Sequence, residues 1–251
     1  MRGSFFLGRT NQGTHKPLSW ESVPEEVKEE FLKDCGSFHD WYIDGSVHTP
    51  TEYKKELIDE FIEEIKKGKQ GYYQYTDTYL YTALEKFPIE GKEVAIVGSV
   101  QPWYESVVLA YGGFPTTIEY NQIETDDPRL TLMTVAEFNK KPKKFPFVFS
   151  ISSFEHDGLG RYGDPIDPNG DLKAMKNVKE NMLEKDGILF LAVPVGMDKL
   201  VFNAHRIYGN RLEKLSEGYE ILGFVPMQTS ERVKLDTING DFQPILVLRN
   251  K

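Results

Sequence analysis

Residues 93–99 read Glu-Val-Ala-Ile-Val-Gly-Ser, and Thr116-Thr-Ile-Glu-Tyr120 follows about 20 residues later. The first stretch predicts an apolar strand that ends at a glycine turn, and the second predicts a strand that ends at an acid. A segment long enough for a helix separates them. In α/β sheets that bind nucleosides, the first turn brings backbone close to the ligand, and an acid after the second strand holds the ribose hydroxyls. The pattern therefore predicts a nucleoside site between Gly98 and Glu119.

The chain from residue 92 onward alternates predicted strands with predicted helices. We predict strands at 93–98, 116–120, 130–134, 146–152, 187–194, 219–226 and 244–250, and helices at 102–111, 135–140, 171–184 and 205–216. The strand Ile188-Leu-Phe-Leu-Ala-Val193 is apolar throughout, which is typical of a parallel sheet covered on both faces. These elements predict an α/β, Rossmann-like three-layer sandwich with a mostly parallel seven-stranded sheet.

Residues 1–90 predict a helical and irregular amino-terminal extension, and residues 91–251 predict the Rossmann domain. Within the extension, segments 24–33, 52–67 and 72–87 have apolar residues at helical spacing or the early acids of a helix start. We expect the extension to pack over the carboxyl edge of the sheet and to help enclose a pocket.

Composition restricts the class of protein. The 251 residues carry a formal net charge of −9, and an acidic surface repels phosphate backbones, so no nucleic-acid partner is expected. Cys35 is the single cysteine, which excludes an intramolecular disulfide and a cysteine-based zinc cluster and favours a reducing, cytoplasmic setting. No apolar run approaches the roughly 18 residues of a membrane helix, so no membrane association is expected.

The segment 155–168 follows the predicted strand 146–152 and is dense in polar side chains. At the carboxyl end of a central strand, such a loop lies where α/β sheets hold ligands. His156 could act as a general base, because imidazole is largely neutral near pH 7. Arg161 could hold a carboxylate or phosphate through two parallel hydrogen bonds. The acidic, basic and histidine side chains of the segment are those of Glu155, His156, Asp157, Arg161, Asp164 and Asp167.

The same segment also permits a purely structural interpretation. Asp164 and Asp167 could cap turns and a helix, while Arg161 pairs with an acid. No metal-ligand spacing is present among these residues, so we predict no metal site.

The order of elements from Glu93 to Lys251 resembles class I S-adenosylmethionine-dependent methyltransferases, with the last two strands as the antiparallel edge of that family. Phe147-Val-Phe-Ser-Ile-Ser-Ser-Phe-Glu-His156 resembles the family's fourth strand and the Glu-His that follows it, and segment 181–194 resembles its Gly, apolar strand, Pro segment. Stretches 97–103, 117–121 and 155–165 resemble a methyltransferase-like domain family of unknown function.

The chain departs from the family at the first turn. Ile96 stands where the family has an acid, and Val100 and Pro102 stand where it has later glycines. A side chain or a proline at such a position hinders close approach of the backbone to a ligand. This departure favours an alternative, a catalytically silent methyltransferase-like binding or scaffold protein. A nucleotide-sugar-related enzyme that uses the same crevice is a further alternative.

The resemblance implies S-adenosylmethionine as cofactor and a small-molecule or glycan-like acceptor as substrate, and it leaves the oligomeric state open. It implies that His156 is catalytic. The cofactor-binding residues would be Gly98, Ser99, Trp103, Glu119, Tyr120 and Ser153. The substrate-binding residues would be Glu155, Asp157, Arg161, Tyr162, Asp164 and His205.

Overall fold

The computed structural model describes residues 16–45, 51–227 and 242–251. Within these ranges the helices are α1 (Glu25–Lys33), α2 (Lys55–Lys66), α3 (Tyr75–Lys86), α4 (Trp103–Ala110), α5 (Val135–Lys140), α6 (Gly170–Asn177) and α7 (Arg211–Leu215). The strands are β1 (Ser37–Trp41), β2 (Thr51–Tyr53), β3 (Glu93–Val97), β4 (Phe114–Glu119), β5 (Ile123–Thr125), β6 (Thr131–Thr134), β7 (Phe145–Ile151), β8 (Leu183–Ala192), β9 (Lys199–Asn203), β10 (His205–Ile207), β11 (Tyr219–Val225) and β12 (Ile245–Asn250).

Seven of these strands form the main sheet, in the order β11-β12-β8-β7-β3-β4-β6. Neighbouring strands from β8 to β6 pair in parallel, whereas β12 runs antiparallel to both β8 and β11. The predicted Rossmann-like sandwich with a mostly parallel sheet is confirmed, and so is the antiparallel pair at its edge. The sheet is mixed, because β12 reverses direction.

Alternate residues of the central strands enter two separate hydrophobic cores. Val94 and Ile96 of β3 face the core covered by α3 and α4, while Ala95 and Val97 face the core covered by α5, α6 and α7. Neighbouring strands β7, β8 and β12 alternate in the same way. Burial of each large apolar side chain contributes about 1.5–3 kcal/mol, so the two cores hold the three layers together. This two-sided burial is why the strands are apolar throughout.

Two smaller sheets join the segments before residue 91 to the rest of the chain. Strand β2 pairs in parallel with β5, and β1 pairs in parallel with β9, which also pairs antiparallel with β10. The predicted helices of this region are present as α1, α2 and α3. Its strands were not predicted, because each is short and each pairs with a partner distant in the sequence.

The predicted helix at 205–216 is wrong. His205–Ile207 forms strand β10 against β9, and helix α7 spans only Arg211–Leu215. The Asp198 carboxylate explains the late start, because it accepts hydrogen bonds from the backbone N–H groups of residues 209, 210 and 211 and so satisfies the first turn there. The predicted helix at 171–184 is present as α6 followed by a π-helical turn over Val178–Met182, which leads directly into β8.

Candidate functional site

A cleft opens at the carboxyl ends of β3, β4 and β7, where parallel α/β sheets bind ligands. It contains a cavity of about 110 Å³. Eight of the residues predicted for the site line this cavity together. They are Gly98, Ser99, Glu119, Tyr120, Ser153, His156, Asp157 and Tyr162.

Glu119 spans the gap between the ends of β3 and β4. Its Oε2 accepts a hydrogen bond from the Ser99 backbone N–H at 3.2 Å, and its Oε1 accepts one from the Tyr120 N–H at 2.7 Å. These contacts orient the carboxylate along the cavity wall. A carboxylate oxygen only accepts hydrogen bonds, which is the chemistry that the hydroxyl donors of a ligand require.

Gly98 brings the turn after β3 against the turn after β7. Its φ is +76°, in the left-handed region, and a Cβ at this position would lie 2.2 Å from Ser153 Oγ. Only glycine fits that close approach without strain. The glycine predicted for cofactor access thus also has a structural role, since the space beside it holds the Ser153 side chain.

Ser99 is hydrogen-bonded to two buried polar side chains, those of Tyr53 and Glu105. The Tyr53 hydroxyl lies 3.0 Å from Ser99 O and 3.2 Å from Ser99 Oγ, and it can donate to either. Ser99 Oγ donates to Glu105 Oε2 at 3.1 Å, and Thr117 Oγ1 donates to Glu105 Oε1 at 2.6 Å. Burial raises the pKa of Glu105 to about 7. The network fixes the backbone of the first turn.

Sequence reasoning missed the buried partners of Ser99. One signal was available, because Glu105 is the single charged residue in the otherwise uncharged stretch Trp103–Ala110. An acid on a helix that is buried nearly all round predicts a polar partner inside the core. Tyr53 carried no such signal, because its contact depends on the pairing of β2 with β5.

His156 lies in the cavity wall as a neutral ring. Its Nδ1 is 2.6 Å from the Ala204 carbonyl oxygen, so Nδ1 carries the proton and Nε2 carries a lone pair. Burial and, to a smaller extent, the nearby Arg161 charge lower the pKa of His156 to about 3. A base this weak is poorly matched to proton removal near pH 7. The arrangement favours His156 as a hydrogen-bond acceptor.

Two predicted substrate residues hold the 155–168 loop together. Asp164 Oδ2 accepts from the N–H groups of Gly158 and Gly160 at 2.8 and 3.2 Å, and Asp164 Oδ1 accepts from the Tyr162 N–H at 3.2 Å. Arg161 donates to the Ala204 carbonyl at 3.1 Å, and its guanidinium lies 5.0 Å from the Tyr162 ring centre. These contacts correspond to the structural interpretation of the loop, except that Arg161 binds a carbonyl there.

The other predicted site residues lie outside the cavity wall. Trp103 is buried in the core, with its ring centre 5.0 Å from that of Phe61. Glu155 is buried behind the wall, and its Oε1 accepts a hydrogen bond from Ser152 Oγ at 2.6 Å. His205 lies on β10 opposite Val201 of β9.

A second cavity, of about 390 Å³, adjoins the first. The two share the turn residues Gly98, Ser99 and Val100 and also Ser152. Aromatic side chains dominate the remaining wall. They are Phe61, Tyr72, Tyr73, Trp103 and Tyr104. We call this space the aromatic cavity. The sequence did not predict this cavity, because its wall is formed by separate parts of the chain. These are helix α2, helix α4 and the segment that precedes α3.

In the described part of the chain, no group of three or more His, Cys, Asp or Glu side chains is arranged to hold a metal ion. Within residues 16–45, 51–227 and 242–251, every helix is too short or too polar to cross a membrane.

Solved structures with this fold include S-adenosylmethionine-dependent methyltransferases. The 1,6-didemethyltoxoflavin-N1-methyltransferase of Burkholderia thailandensis, crystallised with bound 1,6-didemethyltoxoflavin and S-adenosylhomocysteine, is 15% identical, with a TM-score of 0.51, over 84% of this chain and 98% of that one. A TehB-like methyltransferase of Corynebacterium glutamicum is 13% identical, with a TM-score of 0.47, over 78% and 97%. The [4+2]-cyclase SpnF is 14% identical, with a TM-score of 0.46, over 82% and 98%.

The first of these similarities, at a TM-score of 0.51, agrees with the strand order in showing a methyltransferase-like Rossmann fold. It leaves the chemistry open, because fold does not determine function. No curated protein sequence matches this chain significantly. Residues 91–246 match the family described as "Caenorhabditis protein of unknown function, DUF268", and the chain belongs to that family.

Proposed function

We propose that this protein binds S-adenosylmethionine in the cleft and transfers its methyl group to a small-molecule acceptor. One observation carries the proposal. The Glu119 carboxylate lies at the carboxyl edge of β4 and is oriented by the Ser99 amide at the end of β3. A carboxylate at this place in a Rossmann-like sheet is suited to accept hydrogen bonds from both ribose hydroxyls.

The cavity lining fits the rest of an adenosine ligand. Ile118, Tyr120 and Ile123 offer apolar and aromatic surface to an adenine ring. The carboxyl side chains in the described lining are those of Glu119 and Asp157, and aromatic rings line the adjoining cavity. Carboxylates and aromatic faces both attract a sulfonium cation.

The chain's own residues would contribute mainly by position. Methyl transfer needs the acceptor atom in line with the carbon–sulfur bond, and holding two reactants in that geometry lowers the barrier substantially. His156 would bind the ligand through the Nε2 lone pair, since its low pKa disfavours the general-base role. Arg161 and Asp164 would keep the loop in place.

A second candidate function is binding without catalysis. The Ser153 side chain occupies the space beside Gly98, and Val100 and Pro102 follow where methyltransferases have glycines. Such a turn can retain a nucleoside and yet position it poorly for reaction. The nucleotide-sugar alternative is less well supported, since the acids of the lining would repel a diphosphate.

Calorimetric titration with S-adenosylhomocysteine and S-adenosylmethionine tests the proposal. We expect saturable binding, and we expect Glu119→Gln to weaken it about 10- to 100-fold by removing a charged acceptor. Glu90→Gln, an exposed acid beyond the opposite end of β3, serves as matched control and should leave the affinity unchanged. Absence of binding to the wild-type protein at millimolar ligand would rule out the proposal.

Native mass spectrometry of freshly purified protein separates the remaining alternative. A retained mass equal to S-adenosylmethionine or S-adenosylhomocysteine supports the proposal. A retained nucleotide sugar would replace it.

A further inference from the structure

Ser152 lies where the two cavities meet. It follows the last residue of β7 and lines both the cleft cavity and the aromatic cavity. Its φ is +52°, in the left-handed region that residues with a side chain rarely adopt. Such backbone costs about 1–2 kcal/mol, and it persists where the surroundings require it. The conformation places a hydroxyl at the boundary between the two spaces.

Glu155 lies directly behind this hydroxyl. Ser152 Oγ donates to Glu155 Oε1 at 2.6 Å, and Glu155 is 1% exposed. Its second oxygen, Oε2, has no hydrogen-bond partner among the described residues. A buried carboxylate oxygen left without a donor is costly, so its presence calls for a functional explanation. Burial also raises the pKa of Glu155 to about 7, which suits a base that works near neutral pH.

We propose that the aromatic cavity holds the methyl acceptor and that Ser152 relays the acceptor's proton to Glu155. The inference rests on the proposed methyl transfer and adds to it the acceptor site and the base. His156 then binds the ligand. Glu155, which is buried behind Ser152, receives the proton.

The proposed reaction transfers one methyl group and one proton. A lone pair on the acceptor oxygen or nitrogen forms a bond to the methyl carbon, the carbon–sulfur bond breaks, and its electron pair returns to sulfur to give S-adenosylhomocysteine. The acceptor's proton passes to Ser152 Oγ while the Ser152 proton passes to Glu155 Oε1. The products are the methylated acceptor, S-adenosylhomocysteine and a protonated Glu155.

The wall of the aromatic cavity indicates the acceptor class. The rings of Tyr72 and Tyr73 meet edge to face at 4.9 Å, next to the pair formed by Phe61 and Trp103. Flat aromatic molecules gain from contact with such rings beyond simple burial. The charged residue of the described wall, Glu64, is paired with Lys69, so this wall presents no uncompensated charge to a ligand. We therefore assign an uncharged aromatic acceptor that carries an O–H or N–H group.

Several charged or ionisable groups face Glu155 and influence its pKa. The Arg206 guanidinium donates to the Glu155 backbone carbonyl at 3.4 Å, and His156 Nε2 lies 3.7 Å from Glu155 Oε1. Arg161 and Arg206 oppose the effect of burial on the Glu155 pKa. The ionisable or charged neighbours are His156, Arg161, Arg206, Tyr73 and Tyr208.

The probe for this proposal is 4-nitrophenol, an aromatic O–H compound that ionises near neutral pH and whose phenolate absorbs visible light. We expect saturable binding to the full chain and a bound phenolate band near neutral pH. Glu155→Gln keeps the hydrogen bond to Ser152 but cannot take a proton, and Ser152→Ala removes the relay. Each should lower the bound phenolate fraction at least about tenfold. Ser150→Ala, the same change at a buried serine of β7, is the matched control and should leave the band unchanged.

Tyr72→Ala tests separately whether nitrophenol binds in the aromatic cavity. Tyr72 is 80% exposed, so its loss should not disturb folding. We expect about 2- to 10-fold weaker nitrophenol binding. Methyl glucoside, a non-aromatic hydroxyl compound, should bind more weakly than nitrophenol. Lack of saturable nitrophenol binding, or an unchanged phenolate band in both relay variants, would overturn the proposal.

Titration of Glu155→Gln with S-adenosylhomocysteine distinguishes this proposal from the proposed function, because Glu155 lies behind the cleft wall. Unchanged affinity shows that the variant folds and retains the cleft. If the wild-type protein binds nitrophenol as expected but never binds S-adenosylhomocysteine, the methyl donor is wrong. If the reverse holds, the acceptor site is wrong.

Discussion

Gly98 and Ser153 touch so closely that a Cβ on Gly98 would lie 2.2 Å from Ser153 Oγ. The turns after β3 and β7 are thereby pressed together at the base of the cleft. The contact explains why a single glycine remains in a turn where related folds have several. The residue is needed for the approach of two protein segments, whether or not a ligand is bound.

Gly98→Ala should destabilise the fold by about 2–5 kcal/mol, because it combines left-handed backbone strain with a clash. Urea denaturation measures this loss. Gly68→Ala is the matched control, since Gly68 has a φ of +74° but nothing within 4 Å of an added Cβ. The control should cost about 1–2 kcal/mol from backbone strain alone. Equal losses in the two variants would show that the Ser153 contact adds nothing.

The Glu105 carboxyl should make stability depend on pH. Its folded-state pKa is raised from the ordinary 4.5 to about 7 by burial, so its protonated form favours the folded state. That contribution is fully present below pH 4.5 and is lost as the pH rises to 7. Glu105→Gln should remove about 3 kcal/mol of this decline. Urea denaturation across the pH range measures it, with exposed Glu85→Gln as control. Parallel curves for wild type and Glu105→Gln would contradict the assignment.

The buried ion pair between Asp171 and Arg211 should stabilise the folded protein. Asp171 is fully buried, its two oxygens accept from Arg211 at 2.7 and 2.9 Å, and Tyr208 donates to it at 3.1 Å. Asp171→Asn removes the buried charge partner of Arg211, which keeps only the more distant contact with Asp34 at 4.0 Å, and should cost about 3–5 kcal/mol. Thermal unfolding measures the loss. Glu220→Gln breaks the exposed pair with Arg249 and should change little. A similar result for both variants would mean that burial does not strengthen the pair.

Tyr53→Phe should loosen the first turn without removing a cleft residue. The change leaves the Ser99 carbonyl without its buried donor, which costs about 1–3 kcal/mol. We also expect weaker binding of S-adenosylhomocysteine, because Ser99 orients Glu119. Tyr81→Phe, which removes a hydroxyl bonded to the exposed Lys69 carbonyl, is the control. If calorimetry shows equal affinity of both variants for S-adenosylhomocysteine, the contact between Tyr53 and Ser99 does not support ligand binding.

The main sheet and much of the cleft lining at its edge were predictable from local patterns. A strand covered on both faces must be apolar at every position, so β3, β7 and β8 are recognisable from composition alone. The carboxyl ends of parallel strands share one edge, so residues that follow different strands, such as Glu119 and His156, were correctly expected at one place. Their joint presence in the cavity wall could be predicted without knowledge of side-chain contacts.

The minor strands were not predictable in this way. Strand β1 is exposed along its length and carries no alternation, and it exists because β9 pairs with it. Asn203 reinforces this pairing by donating to and accepting from the backbone of Ile43, 160 residues earlier. The predicted helix at 205–216 failed for the same reason, because pairing with β9 outweighed the local helical pattern.

By itself, the sequence determined the alternation of strands and helices, the double-sided core and the acid at the end of β4, because each depends on residues near one another in the chain. Only the tertiary structure decided which groups meet. It placed Ser153 beside Gly98, Tyr53 and Glu105 around Ser99, and Glu155 behind Ser152. Such contacts depend on how segments distant in sequence pack together, and burial then sets the pKa of each acid and base according to its surroundings.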